Sequence, residues 1–230
     1  MSKHGFLRTQ KTSVVDAKGK PIFLRGVNFG GWLMMEAYFM HAPNLAQQIF
    51  EASFKKRHGS KALEELLEGF RRQFIKEEDF KQIATWGMNS IRLPFHYKIA
   101  DNSATIGYLD QAIRWAKKYN VYIILDLHGA FGAQNHDWHS DSLGKAELWT
   151  KKSNRLKTYE LWQKIADRYK DETIIAGYDV LNEAVLGDAA LLNEFYRELI
   201  KAIRSVDRNH MLFVEGIRWA QDISILEDFS

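Results

Sequence analysis

Five apolar runs govern what this chain can fold into, at about 22–28, 89–93, 121–127, 174–181 and 211–215. The third, Val121-Tyr122-Ile123-Ile124-Leu125-Asp126-Leu127-His128, is nearly continuous in its apolar character rather than alternating. A strand of that kind is buried on both faces, which predicts a parallel sheet covered by helical crossovers. Helical segments fall between the runs. Glu77 to Trp86 carries acids in its first turn, which suits the positive end of a helix. Leu109, Ala112, Ile113, Ala116 and Tyr119 share one helical face, and Asn120 is a stop signal. Further helices are predicted through Trp162, Ile165 and Tyr169, and from Leu191 to Val206. The region from Asn44 to about Phe70 leans helical, with Ser60 as a cap. Phe6 to Gln10 and Thr12 to Val15 predict a short β-hairpin within about 6–22, with a turn over Asp16 to Lys20.

Each apolar run closes on polar residues: Asn28, Arg92, His128, Asn182-Glu183 and Glu215. Polar side chains at the C-terminal ends of parallel strands are how (β/α)8 barrels build active sites. An open doubly wound sheet would carry a glycine-rich phosphate loop, and none occurs. The expected fold is therefore α/β, of the (β/α)8 TIM-barrel type, as one domain over 1–230. Only about five βα units are visible, so strands six to eight are expected to be missing. Such a partial barrel would expose strand edges.

Several function classes are excluded. The 32 basic and 29 acidic residues are spread evenly, giving a net charge of +3 and no basic stripe for nucleic acid. No apolar run reaches membrane-spanning length. No cysteine is present, so thiolate chemistry is absent. The first ten residues carry no signal-peptide core, which fits a cytoplasmic protein or a secreted one with its leader removed. No cofactor motif is found.

Asn182-Glu183 is the strongest chemical signal. A carboxylate at the tip of a buried strand, with an amide beside it, suits glycoside hydrolysis, which uses a protonated carboxyl and a second ionised one. Glu183 is the candidate acid/base, and Asn182 would hydrogen-bond a sugar hydroxyl. Arg92, a cation inside an apolar strand, either holds a carboxylate ionised or forms a structural ion pair. His128 is a candidate hydroxyl donor or a satisfied core histidine. Trp138 and His139, in the loop after it, and Trp32, Glu36 and Trp219, after other strands, are candidate substrate-binding groups, as is Asn28. Each tryptophan could equally pack over the rim. Glu215, one βα unit after Glu183, reads as a supporting residue rather than a nucleophile.

Four segments together resemble glycoside hydrolase family 5, the cellulase-like retaining β-glycosidases. They are Arg25-Gly26-Val27-Asn28-Phe29-Gly30-Gly31-Trp32, Ile91-Arg92-Leu93-Pro94, Leu125-Asp126-Leu127-His128-Gly129 and Tyr178-Asp179-Val180-Leu181-Asn182-Glu183. The resemblance implies cofactor-free cleavage of β-linked glucans or mannans with retention. It carries the acid/base onto Glu183, the transition-state amide onto Asn182, and supporting roles onto Arg92 and His128. Gly26 to Glu36 most resembles the exo-β-1,3-glucanase branch, which implies sugar binding by Glu36. Trp138 and His139 depart from that branch, which has Asp and Asn there. The family's nucleophile, a Glu ending strand seven, and its His-x-Tyr motif after strand six have no counterpart in the sequence. The chain alone is therefore expected to be inactive.

Two other classes compete. A half-barrel could be a non-catalytic carbohydrate-binding scaffold that self-associates or pairs with a complementing carboxy-terminal barrel fragment. A metal-dependent hydrolase could use His128, His136, Asp137, His139 and Asp141, although their spacing matches no established metal motif.

Overall fold

The computed structural model describes residues 5–229. Strands β1 (Arg8–Gln10) and β2 (Ser13–Val15) form the expected antiparallel hairpin, Arg8 opposite Val15. Five strands then make one parallel sheet in sequential order: β3 (Gly26–Asn28), β4 (Ser90–His96), β5 (Tyr122–Gly129), β6 (Ile175–Asp179) and β7 (Met211–Phe213). The connections are helical. Helices α1 (Gln47–His58), α2 (Ser60–Phe74) and α3 (Glu77–Thr85) join β3 to β4. A short α4 (Tyr97–Ala100) and then α5 (Gly107–Tyr119) lead to β5. A short α6 (Glu147–Thr150) and α7 (Lys152–Tyr169) lead to β6, and α8 (Ala189–Arg204) leads to β7. A single turn, α9 (Ile217–Ala220), follows. This is the predicted barrel-type parallel sheet in partial form. Among the described residues β3 and β7 each have one strand neighbour.

The sheet's outer face carries the main core. Ile91, Leu93 and Phe95 of β4 and Ile123, Leu125 and Leu127 of β5 are all fully buried. Each such side chain stabilises the fold by about 1.5–3 kcal/mol relative to exposure. Phe95 meets Trp162 of α7 edge to face at 6.0 Å, and Trp162 donates its indole N–H to Val180 O at 2.9 Å. Asn120 ends α5 in the left-handed conformation, at φ 59°, as its short polar side chain permits.

Some local expectations are corrected. Strand β3 begins at Gly26, not near residue 22, because the Asn89 side chain takes over the pairing. Its Oδ1 accepts from Arg25 N–H at 2.7 Å and its amide donates to Phe23 O at 2.8 Å. Ser60 is the first residue of α2 and makes no side-chain cap; Gly59, at φ 89°, makes the break from α1. Strand β4 runs past Pro94 to His96, whose N–H donates to Leu33 O at 3.0 Å. Strands β6 and β7 stop short of residues 181 and 215. The chain nevertheless stays in register after β6, since Asn182 N–H donates to Leu127 O at 3.1 Å. That bond sets Asn182 and Glu183 beside His128 at the C-terminal edge of the sheet.

Candidate active site

Arg92 is the hub of the strand tips. Its guanidinium lies 2.9 Å from Asp126, 2.8 Å from Asp179 and 3.3 Å from Glu215, and it donates to Asn182 Oδ1 at 2.8 Å. Four strands thus converge on one planar group whose fixed fork suits several acceptors. Burial works against the Arg92 charge, but Asp126 and Asp179 outweigh it and raise its pKa. One cation faces three carboxylates, so the carboxylates are strained instead. Burial pushes Asp126 up to about 7 against the pull of Arg92. Asp179 is raised by burial and by Asp126, and Glu215 by burial and by Asp179.

His128 points to the same floor. Its Nδ1 is 2.8 Å from Asp126 Oδ2, and its Nε2 is 4.0 Å from Glu36 Oε1. Burial depresses its pKa to about 4, so the ring is neutral near pH 7. Glu36 is buried and raised by desolvation, partly offset by His128 and by the Tyr38 hydroxyl. Desolvation and then Glu36 push Tyr38 up to about 12.

Glu183 differs from every other acid here. Its side chain is 36% exposed, against 0% for Asp126, 8% for Asp179, 19% for Glu215 and 6% for Glu36. Its backbone sits at φ 48°, an unfavourable region for a side chain with Cβ. Its carboxylate is 3.6 Å from His139 Nδ1. Burial lowers the His139 pKa, with Glu183 pulling the other way. His139 Nε2 is 3.7 Å from Asp137 Oδ2, the oxygen that also accepts the Trp219 indole N–H at 2.7 Å. Arg218, Trp219 and Ala220 all have positive φ, so the turn after β7 is wound left-handed and stands Trp219 partly exposed over this loop. Trp138 packs edge-on against Tyr38, with ring centroids 5.6 Å apart.

The structure therefore gathers Glu183, Asn182, Arg92, His128, Glu36, Trp138, His139 and Trp219 at one edge. Asn28 is exposed at the end of β3. Trp32 is the exception. It is 1% exposed, donates its indole N–H to Arg71 O at 2.7 Å and stacks with Trp115 at 6.3 Å. It packs the wall and offers no ring face to a ligand. The proposed metal set is also split apart. Asp141 is held 3.1 Å from His96 and 3.4 Å from Lys98, while His136 packs against Trp219. Among the described residues no three potential ligands converge. Sequence reasoning missed Asp126, Asp179 and Tyr38. The signal for the two aspartates was present: each interrupts an apolar strand in which an acid is costly without a partner.

Parallel strands joined by helices, with polar side chains gathered at their C-terminal tips, place the chain in the (β/α)8-barrel fold class, in partial form. The chain belongs to the cellulase family, glycosyl hydrolase family 5, which matches residues 52–228. It is 34% identical over 232 residues to a β-xylosidase from Phanerodontia chrysosporium, covering 97% of this chain and 48% of that protein. A glucan 1,3-β-glucosidase from Schwanniomyces occidentalis is 32% identical, at 79% and 48% coverage. A solved β-glucanase from Saccharophagus degradans superposes with a TM-score of 0.66 at 22% identity, covering 97% of this chain and 57% of that one. That likeness concerns the fold alone. The chain spans about half the length of the curated relatives it matches.

Proposed function

We propose that these residues form the proton-donating side of a retaining glycosidase site for β-linked, glucan-type polysaccharide, with Glu183 as acid/base. The observation that carries this is the contrast in engagement. Asp126, Asp179 and Glu215 are tied to Arg92 inside the sheet, whereas Glu183 is open at the strand tip beside Asn182. Glu183 would protonate the leaving glycosidic oxygen, then remove a proton from the attacking water. Asn182 supports this geometry. Its Oδ1 is taken by Arg92, and its Nδ2, buried at the site's floor, has no acceptor among the described residues, so it is a donor that a small rearrangement would offer to a sugar hydroxyl. His128 and Glu36 would read further hydroxyls, and Trp138, His139, Trp219 and Asn28 would line the cleft. The β-xylosidase, glucan 1,3-β-glucosidase and endoglucanase among the relatives support β-linked sugars as substrate class.

Retention requires a second carboxyl about 5–5.5 Å from the first. Glu215 does not serve. Its Oε1 is held by the Arg92 guanidinium and its Oε2 by Glu183 N–H, at 3.3 and 2.6 Å, so both oxygens are engaged. The residues of this chain thus bind and donate but do not complete the pair. The test is calorimetric titration of the chain with cellotetraose together with a reducing-sugar assay. Binding that weakens in Asn182→Ala, without sugar release, is the expected result. Absence of any binding, or Glu183-dependent release by the chain alone, would contradict it.

A further inference from the structure

The carboxyls around Arg92 outnumber it. Asp126, Asp179 and Glu215 all lie within 3.3 Å of its guanidinium, so one cation faces three acids in a largely buried space. Asp179 Oδ2 accepts from Arg92 Nε at 2.8 Å, but its Oδ1 is buried with no donor among the described residues. The neighbour in hydrogen-bond contact with the Asp179 carboxyl is Glu215. Two carboxylates hold no donor between them, so such a contact is a hydrogen bond only when one of them keeps its proton. Contact geometry and charge balance thus agree on one proton shared by Asp179 and Glu215. The environment favours it as well: burial and Asp126 raise Asp179, and burial and Asp179 raise Glu215.

The two partners are held unequally. Asp179 belongs to β6 and sits 2.8 Å from the guanidinium. Glu215 lies beyond β7, is the more exposed of the two, and meets Arg92 only at 3.3 Å. The Tyr196 hydroxyl of α8 donates to Glu215 O at 2.8 Å and pins its backbone, so the freedom left to Glu215 is in its side chain. That side chain accepts the Glu183 N–H at 2.6 Å.

Loss of the shared proton would leave two like charges in contact. In a buried setting their repulsion outweighs one amide hydrogen bond, and the looser partner, Glu215, swings away. The Glu183 N–H then loses its acceptor, and a residue held at φ 48° is free to relax.

We propose that Asp179 is a positioning residue acting through Glu215: a proton shared by the two carboxyls keeps Glu215 on the Glu183 N–H, and its loss at high pH unfastens Glu183. The importance of this for catalysis rests on the reading of Glu183 as acid/base. The other groups facing the Glu215 carboxyl are Arg92 on β4, Asp126 on β5, Glu183 after β6 and Tyr196 on α8, with His128 on β5 further off. Asp126 is itself raised to about 7, so Asp126→Asn serves to separate its field from the proposed contact.

The test is amide NMR of the chain from about pH 5 to about pH 9, following the shift and the hydrogen-exchange protection of the Glu183 amide. In the parent chain that amide should lose about tenfold in protection, the equivalent of one hydrogen bond, in a transition well above the ordinary carboxylate range. Glu215→Gln keeps an acceptor that does not titrate, and Asp179→Asn removes the like charge. In both, the amide should stay protected at the alkaline end. Asp126→Asn should lower the midpoint and leave the transition in place. A flat Glu183 amide in the parent, or a transition unchanged in Glu215→Gln or Asp179→Asn, would overturn the relay. Should one of these variants fail to fold, the parent titration and the other variant decide.

A cellotetraose titration at both ends of the pH range separates the relay from the glycosidase reading. Binding with a flat amide would overturn the relay and leave that reading standing. A titrating amide without binding at either end would support the relay and count against that reading.

Discussion

The Glu215 carboxylate accepts the backbone N–H of Glu183 at 2.6 Å. From the other side, the Asn135 amide donates to the Glu183 carbonyl at 3.0 Å. Two side chains from different loops thus hold both backbone groups of Glu183 at φ 48°. That conformation costs a residue bearing Cβ about 1–2 kcal/mol. Glu215→Ala and Asn135→Ala should each lower stability by about 1–3 kcal/mol by leaving a buried partner without its hydrogen bond. Each should also move the Glu183 amide resonance, with the two effects non-additive. Additive effects, or an unmoved resonance, would show that no such clamp exists.

Arg92 balances three acids, so its loss is the most damaging single change in the sheet. Arg92→Met should destabilise the chain by about 3–5 kcal/mol, the cost of leaving buried charges without a partner. Arg92→Lys should recover only part, because a point charge cannot match four acceptors. Urea denaturation of the two variants measures the difference.

The buried titrating groups have opposite signs. Asp126 is raised from 3.8 to about 7, so the native state holds a proton that the unfolded chain releases, and its contribution to stability falls as pH rises from about 4 to about 7. Asp179 and Glu215, also raised, add to that decline. His128 is lowered from 6.5 to about 4, so its contribution rises with pH over about 4 to 6.5. His128→Asn should therefore steepen the fall of stability with pH in this window, and Asp126→Asn should flatten it. Denaturant midpoints at several pH values check both slopes.

Asp137 links two loops, holding Trp219 by its indole N–H and approaching His139 behind Glu183. Asp137→Ala should shift the Trp219 indole resonance and raise the mobility of the turn after β7. Affinity for cellotetraose should fall while global stability changes little, since the pair is partly exposed. A large stability loss with unchanged affinity would assign Asp137 a purely structural part.

Much of this molecule was legible in the sequence, for identifiable reasons. The apolar runs marked the central strands β4, β5 and β6 because burial on both faces leaves no polar alternation to misread. Asn120 marked a helix end through its tolerance of positive φ. The polar residues closing each run, from Arg92 to Glu183, come together because strand ends share one edge of a parallel sheet. Burial of individual rings was not legible: Trp32 and Trp219 both follow strand ends, yet one packs behind the sheet and the other stands over the cleft. Nor was the pairing of Asp126 and Asp179 with Arg92, which depends on three strands coming into register. The Asn89 contact that shortens β3 spans more than sixty residues and has no local signal.

The most direct test of the central claim uses a chimera in which these 230 residues are followed by strands six to eight of a family 5 relative. The measurement is its rate of cellotetraose hydrolysis with and without Glu183→Gln. The account predicts turnover in the parent chimera and a loss of about 10²–10⁴-fold in kcat in the variant, with KM little changed. Equal turnover in the two proteins would contradict the assignment of Glu183 as the proton donor.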